Sequence, residues 1–521
     1  MMKRLTTLLL LVSMAGGQCL MAQTAAIKSL YRNVKDTYET KADSTTNAFI
    51  ESFMIKNKGY FNVSYQHYAF NAYWTQAHAI DVVIYNYQRH KGIDTRPTST
   101  YLTYIKRWYQ NKANNYAGAA GKSDTGVNTS TDYKMFENPF TDDMCWITLT
   151  LLHIAEATGT SSYAIVARQV FDNYIISRGT EDEETGGIKL PWNTDVGSGP
   201  NACTQSPATL IAAKLYQRFG TAKYLEYAKK LYAYANKKMY MSDGRIEEPP
   251  LTYTQGTFGE ACRILYHVTD ESSSVKNKYR TQAYTALYYA FTSTRCTNGQ
   301  NILRDEGSSG DQSIFKAILI PYAVNFVLDE DMTSNNRTNL CKLILKNTTM
   351  LWKQLDFSRY PLLFYNYGWT SPYTGSDSDA SMGAACSGAS LIENTARMCR
   401  VITDRYNLGA LLTECEKFVI EPGLEEEEVF VTFSSAKQAA TDIMASPGDF
   451  TIAQFKKAIE NLQAAYQAAQ DFATGIKTFS DSPLRNEEIY DLSGKMVNGK
   501  WSNGKFPRGI YIIGGRKVMV K

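Results

Sequence analysis

From about residue 27 to residue 420, apolar side chains recur at helical spacing almost without a break. YWTQAHAIDVVIYNYQRH (73–90), DDMCWITLTLLHIAEATG (142–159), SSYAIVARQVFDNYIISRG (161–179), SPATLIAAKLYQRFG (206–220) and AKYLEYAKKLYAYANKKM (222–239) all carry it. So do GTFGEACRILYHVTD (256–270), DQSIFKAILIPYAVNF (311–326) and SDASMGAACSGASLIENTARMCRVIT (378–403). The pattern predicts roughly a dozen helices paired through short Gly- or Ser-containing turns. Gly159 and Gly220 follow two of them, as left-handed C-caps do. The segments starting near 142, 206 and 256 are apolar on all sides, whereas those that follow, such as 222–239, have one charged face. All-round apolarity marks a buried helix and a stripe marks a surface helix. Alternating inner and outer helices predict an all-α fold, an α/α toroid whose longer polar loops (115–141, 180–203) crowd one end. An open helical superhelix shows a similar alternation, but the irregular loops and the lack of a fixed repeat length disfavour it.

The pattern changes after Ile420. EPGLEEEEVF (421–430) reads as an acidic linker, and residues 434–474 as a helical hairpin. From about 485 the period falls to two, and 487–497 and 509–521 predict short strands of a small β module. At the other end, Lys3 and Arg4 precede the apolar run Leu8–Met14, with a cleavage position after Ala22. The expected organisation is a signal peptide (1–22), a toroid (27–420), a linker and hairpin (421–480) and a β tail (485–521). The chain is thus expected to be exported to the periplasm, the cell surface or the medium.

Composition narrows the chemistry. Of 521 residues 44% are hydrophobic, enough for a large core, and a formal charge of +4 without a basic tract gives nucleic acid no footprint. Aromatic residues reach 12%, which suits a packed core and equally a sugar-stacking surface. The cysteines are scattered, with no CxxC. Cys145, Cys203 and Cys262 lie in apolar helical contexts and read as small buried hydrophobes. The five histidines form no HExxH motif, so no metal and no cofactor are expected. His153 and Glu156, three residues apart on a core-like helix, read as structural. GAAGKSDTG (118–126) lacks both the spacing and the preceding strand of a phosphate loop.

What survives is ENPFTDDMCW (137–146), in which Asp142 and Asp143 adjoin at a helix start. One reading is capping by Asp142, with Asp143 favoured by the helix dipole. The other is glycoside hydrolysis, which needs two carboxyl groups, about 5–5.5 Å apart for retention and about 6.5–9.5 Å for inversion. Neighbouring Cα atoms lie about 3.8 Å apart. Side chains splaying from them reach the shorter separation and not the longer, so a pair acting alone favours retention.

YWTQAHAID (73–81), TDDMCWITLTLLHIAEATG (141–159), GGIKLPWNTD (186–195), NACTQSPATLIAAKLYQRFG (201–220), LTYTQGTFGEACRILYHVT (251–269) and DQSIFKAIL (311–319), in that order, resemble glycoside hydrolase family 76, the endo-α-1,6-mannanases. The resemblance covers roughly residues 40–420. It implies an (α/α)6 fold and a retaining endo-α-1,6-mannanase acting on α-mannan, with Asp142 as nucleophile and Asp143 as acid/base. Trp74, Gln76, His78, Trp192, Asn193, Asn201, Tyr253, Gln255, Asp311 and Gln312 are candidates for substrate binding, since each falls near a loop-to-helix junction. The chain departs from the family pattern at Thr141 and Ile147, where aromatics are usual, and at Lys189, Leu190 and Pro191, which precede Trp192. The last 35 or so residues resemble secretion-sorting tails of gram-negative exported proteins, implying outer-membrane secretion machinery as a partner. A monomer is expected. Two readings stay open beside the mannanase: an α/α-toroid glycosidase that is exo-acting or takes another glycan, and a non-catalytic glycan-binding protein.

Overall fold

The computed structural model describes residues 35–67, 73–93, 95–115, 133–247, 251–307, 311–445, 452–478, 489–497, 509–513 and 516–520. The expected signal peptide and the 118–126 loop lie outside these residues. The chain divides into two compact units, 26–402 and 403–521.

The first unit follows the predicted alternation. Its inner helices are α2 (Tyr73–His90), α4 (Thr141–Thr158), α6 (Ala202–Phe219), α8 (Thr252–Val268), α10 (Phe315–Leu328) and α12 (Met382–Cys415), the last running past the unit boundary. The outer helices are α1 (Lys35–Phe53), α3 (Thr95–Asn115), α5 (Ser161–Val170), α7 (Ala222–Lys238), α9 (Ser273–Thr292) and α11 (Ser334–Gln354). Each inner helix from α2 to α8 packs on the next inner one, and each from α2 to α10 packs on the outer helix that follows it. The ring closes through α12. Ser387 donates to the Ser313 carbonyl at 2.8 Å, Arg397 to Asn325 Oδ1 at 2.7 Å, and Cys386 Sγ to the His78 carbonyl at 3.3 Å. The fold is an (α/α)6 toroid.

The residues explain the layering. In α10, FKAILIPYAVNFVL, every residue but Asn325 is buried, whereas α7 buries one face and turns its lysines outward. Gly256 of α8 lets that helix close on α10: a Cβ there would sit 2.8 Å from Leu319 Cα. Glu393 is a charge buried between layers and is paired. Glu393 of α12 accepts from Arg89 Nε at 2.7 Å and from Thr46 and Asn86 at 2.9 Å each, tying α1, α2 and α12 together. The expected helix over 161–179 is only partly regular. After α5 it continues as a π turn (Phe171–Ile175) and a 3-10 turn (Ile176–Arg178). Gly159 and Gly220 end α4 and α6 at φ 77° and 65°.

Two short antiparallel pairs carry no period-two signature in the sequence: β1 (Met54–Ile55) with β2 (Tyr60–Phe61), and β3 (Thr180–Asp182) with β4 (Gly187–Lys189). The second aims the chain that follows it. Gly187 leaves no room for a side chain, since a Cβ would lie 2.6 Å from the Lys230 carbonyl of α7.

In the second unit, α13 (Glu428–Ala445) and α14 (Ile452–Gly475) form the expected hairpin around Phe418, Phe433 and Tyr466, with the last two rings stacked at 5.6 Å. Glu428, from the run read as linker, already opens α13, where an acid suits the helix N-terminus. Among the described residues the β module has four strands, in the order β5 (Ile476–Thr478), β8 (Arg516–Val520), β7 (Gly509–Ile513) and β6 (Ile489–Asp491). β5 runs parallel to β8 and the other pairs are antiparallel. No helix among the described residues is long and apolar enough to cross a membrane.

Candidate active site

The inner helices begin at one mouth of the toroid, where a cavity of about 310 Å³ is lined by Trp74, Phe140, Asp142, Asp143, Trp146, Trp192, Cys203, Tyr253, Asp311 and Phe315. Every inner helix from α2 to α10 contributes at or just before its first turn.

The aspartates do not cap α4. Phe140 holds the N-cap position in extended conformation without a side-chain cap, and Asp142 and Asp143 stand in the first turn. Capping by Asp142, one of the two readings of this pair, is therefore corrected: the cap lies two residues earlier, at Phe140, and both carboxylates line the cavity. Asp142 Oδ1 accepts the Asp143 N–H at 3.0 Å, and Oδ2 accepts the Cys203 S–H at 3.1 Å. Asp143 Oδ2 accepts from Asn138 Nδ2 at 2.9 Å, and Asn138 Oδ1 accepts the Phe140 N–H at 2.9 Å. One buried amide thus fixes both the turn and the second carboxylate. Burial pushes the Asp142 carboxyl up to about 6; the Cys203 and backbone donors pull against this, and the charge of Asp311 adds to it.

The walls are aromatic. The Thr141 N–H donates to the Trp192 carbonyl at 2.8 Å, and the Thr194 N–H to the Pro139 carbonyl at 3.1 Å. This pairing brings Trp192 beside Phe140, with ring centroids 5.7 Å apart. Arg178 braces the same turn through the Pro139 carbonyl and Thr141 Oγ1. Across the cavity Tyr253 lies 4.2 Å from Phe315, and Trp74 donates its indole N–H to Asp311 Oδ1 at 3.1 Å.

Six of the expected residues meet at the cavity: Asp142, Asp143, Trp74, Trp192, Tyr253 and Asp311. Others do not line it. His78 sits one layer down, edge-on to Trp74 and Trp146 at 5.6 and 5.2 Å, and burial lowers its pKa to about 4, which keeps it neutral. Asn193 closes a turn by accepting the Asp195 N–H at 2.8 Å. Asn201 caps α6 by accepting the Thr204 N–H at 3.0 Å. Gln255 is buried against both backbone groups of Ile246, and Gln76 serves Phe61 in the same way. Gln312 lies in the 3-10 turn before α10, outside the cavity lining. Loops at helix ends leave backbone groups unpaired, and the Gln76, Asn193, Asn201 and Gln255 side chains satisfy them.

Phe140, Cys203 and Phe315 line the cavity and escaped the sequence reading, as did Asn138 behind them. Phe140 restores an aromatic beside the pair, one residue earlier than the family places it, while Thr141 and Ile147 are fully buried. Trp192 reaches the cavity despite the three residues before it. Lys189 ends β4, the Leu190 N–H bonds Gln205 Oε1 at 3.2 Å, and Pro191 pairs with Pro200.

At the opposite ends of α8 and α10, His267, Asp329 and Asp331 approach one another. Asp329 there accepts from Arg263 at 2.7 Å and His267 at 2.6 Å, which makes the group an ion-pair network.

A ring of inner helices that opens a carboxylate pair into an aromatic cavity is the architecture of a toroidal glycosidase. The chain belongs to glycoside hydrolase family 76: the model of that family, "Glycosyl hydrolase family 76", matches residues 25–400. No curated protein sequence matches it. Among solved structures it is similar to the alpha-1,6-mannanase from Salegentibacter sp. HEL1_6, at 22% identity and TM-score 0.57 over 69% of this chain and 99% of that one. An inactive variant of that enzyme, with two consecutive aspartates replaced by asparagine and in complex with alpha-1,6-mannotriose, aligns at 20% identity and TM-score 0.56, again over 69% and 99%. A protein from Listeria innocua aligns at 21% identity and TM-score 0.55, over 69% and 97%.

Proposed function

We propose that the protein is a retaining endo-α-1,6-mannanase. The observation that carries this reading is the Asp142–Asp143 pair opening into an aromatic cavity. Asp142 attacks the anomeric carbon as Asp143 gives a proton to the departing glycosidic oxygen, leaving a covalent mannosyl-enzyme. Asp143 then takes a proton from water, which attacks the same carbon and frees Asp142. Trp192 with Phe140, and Tyr253 with Phe315, offer faces for the apolar sides of mannose rings. Asp311 offers a carboxylate to sugar hydroxyls. The relative inactivated at two consecutive aspartates and holding alpha-1,6-mannotriose supports both the pair and the substrate class.

The basic and apolar N-terminal segment supports export, and the C-terminal strands support recognition by secretion machinery, the chain working as a monomer outside the cytoplasm. The test is incubation with linear α-1,6-mannan, following product anomer by NMR and product length over time. Early mixed oligomers of retained α configuration are expected. Asp142→Asn and Asp143→Asn should each lower kcat by roughly a thousandfold or more. An inverted first product, or polymer left intact by the wild type, would falsify the reading. Release of one small sugar from the start would mark exo action.

A further inference from the structure

Cys203 stands at the second position of α6, buried yet lining the cavity, and donates to Asp142 Oδ2 at 3.1 Å. Its helix is firmly anchored. Asn201 caps it, and Gln205, half a turn on, donates to the Ile188 carbonyl of β4 at 2.6 Å and accepts the Leu190 N–H. The thiol is therefore presented from a rigid element, as a positioning group must be.

The groups facing Asp142 are few. Asp143 and Cys145 share its helix, Asp311 precedes α10, and Cys203 comes from α6. Arg178 is a nearby cation that donates to the Pro139 carbonyl and to Thr141 Oγ1. Among the described residues Cys203 is the side-chain donor to Asp142, set against two neighbouring acids.

We propose that Cys203 is a positioning residue: its S–H holds Asp142 in one rotamer and favours the ionised carboxylate. This deepens the retaining reading above and rests on it. A thiol suits the task because it is a weak donor. A nucleophilic carboxylate loses its charge as it becomes an ester. A strong donor would stabilise the charged ground state more than the transition state and so raise the barrier, whereas a weak one orients the group and forfeits little.

The experiment compares wild type, Cys203→Ser, Cys203→Ala and Cys203→Val, the last filling the space without a donor. The first readout is kcat/KM on linear α-1,6-mannan against pH. Removing the donor in Cys203→Ala or Cys203→Val should move the acidic limb up by roughly half to one pH unit, with kcat falling about tenfold and KM little changed. Cys203→Ser should return the limb to its wild-type position or below. The second readout needs no substrate: the crossover pH above which the Tm gap between each protein and the same protein carrying Asp142→Asn stops widening reports the ionisation of Asp142 in the folded state. That crossover should rise in Cys203→Ala and Cys203→Val. A limb and a crossover that stay put in both variants overturn the proposal, even if activity falls, because packing alone would then account for the loss. If wild type leaves mannan intact, the mannanase reading fails, and the crossover still decides whether the thiol controls Asp142.

Discussion

At the scale of single residues, the chemistry depends on how Asp142 is surrounded. Burial holds its carboxyl near 6 rather than the usual carboxylate range. Ionising it therefore costs the folded state. The cost is present in full above about pH 6 and disappears as the pH falls to the ordinary value near 4. Asp142→Asn should accordingly be more stable than wild type at pH 7.5 by about 3 kcal/mol, and equal to it below about pH 4, measured by urea unfolding at both pH values. Catalysis carries the opposite sign. A nucleophile must be ionised, so kcat/KM should fall as pH drops through about 6. Were Asp142 the proton donor, the rate would instead fall as pH rises through that value, and the profile separates the two roles. The pair itself was legible in the sequence through the ordered motifs around it, because by position alone adjacent acids at a helix start read equally as cap and dipole partners. Cys203 was not: a cysteine in an apolar helix reads as filler until the fold sets its sulfur beside a carboxylate.

Elements carry these residues to one place. α8 and α10 touch through Gly256, and about one turn toward the mouth Tyr253 and Phe315 face each other across the same seam. Gly256→Ala must push Leu319 away. It should cost about 1–3 kcal/mol of stability and, by parting the aromatic wall, raise KM for mannan oligomers; thermal melts and initial rates check both. Glu393 plays a comparable part where α1, α2 and α12 meet. Glu393→Ala leaves Arg89 with the half-exposed Asp43 alone and should destabilise by about 3–5 kcal/mol in urea unfolding, with the pH profile of the remaining activity unchanged. The helices were legible because their apolar spacing repeats over many turns. The two-residue and three-residue strands were not, since such short segments hold too few positions to show a period. Yet the β3–β4 pair is what delivers Trp192, so a small element invisible in the sequence positions a large part of the site.

For the whole molecule, a formal charge of +4 over 521 residues leaves little long-range field. A neutral mannan should be hydrolysed at a kcat/KM that changes less than about twofold between roughly 0.05 and 0.5 M salt, over which range the Debye length shrinks severalfold. A steep salt dependence in steady-state rates would point to a charged glycan instead. The sequence by itself determined the alternation of buried and striped helices, the order of motifs that mark the family, and the carboxylate pair, because each is a local or periodic property of the chain. Only the tertiary structure decided which junction residues face the cavity. Trp74, Trp192, Tyr253 and Asp311 meet there, while Asn193, Asn201 and Gln255 turn to backbone groups that their own loops leave unpaired. The reason is physical: an amide at a helix start serves equally well as cap, turn or ligand contact, and the choice depends on which donor or acceptor lies within about 3 Å, a distance set by segments far away in the chain.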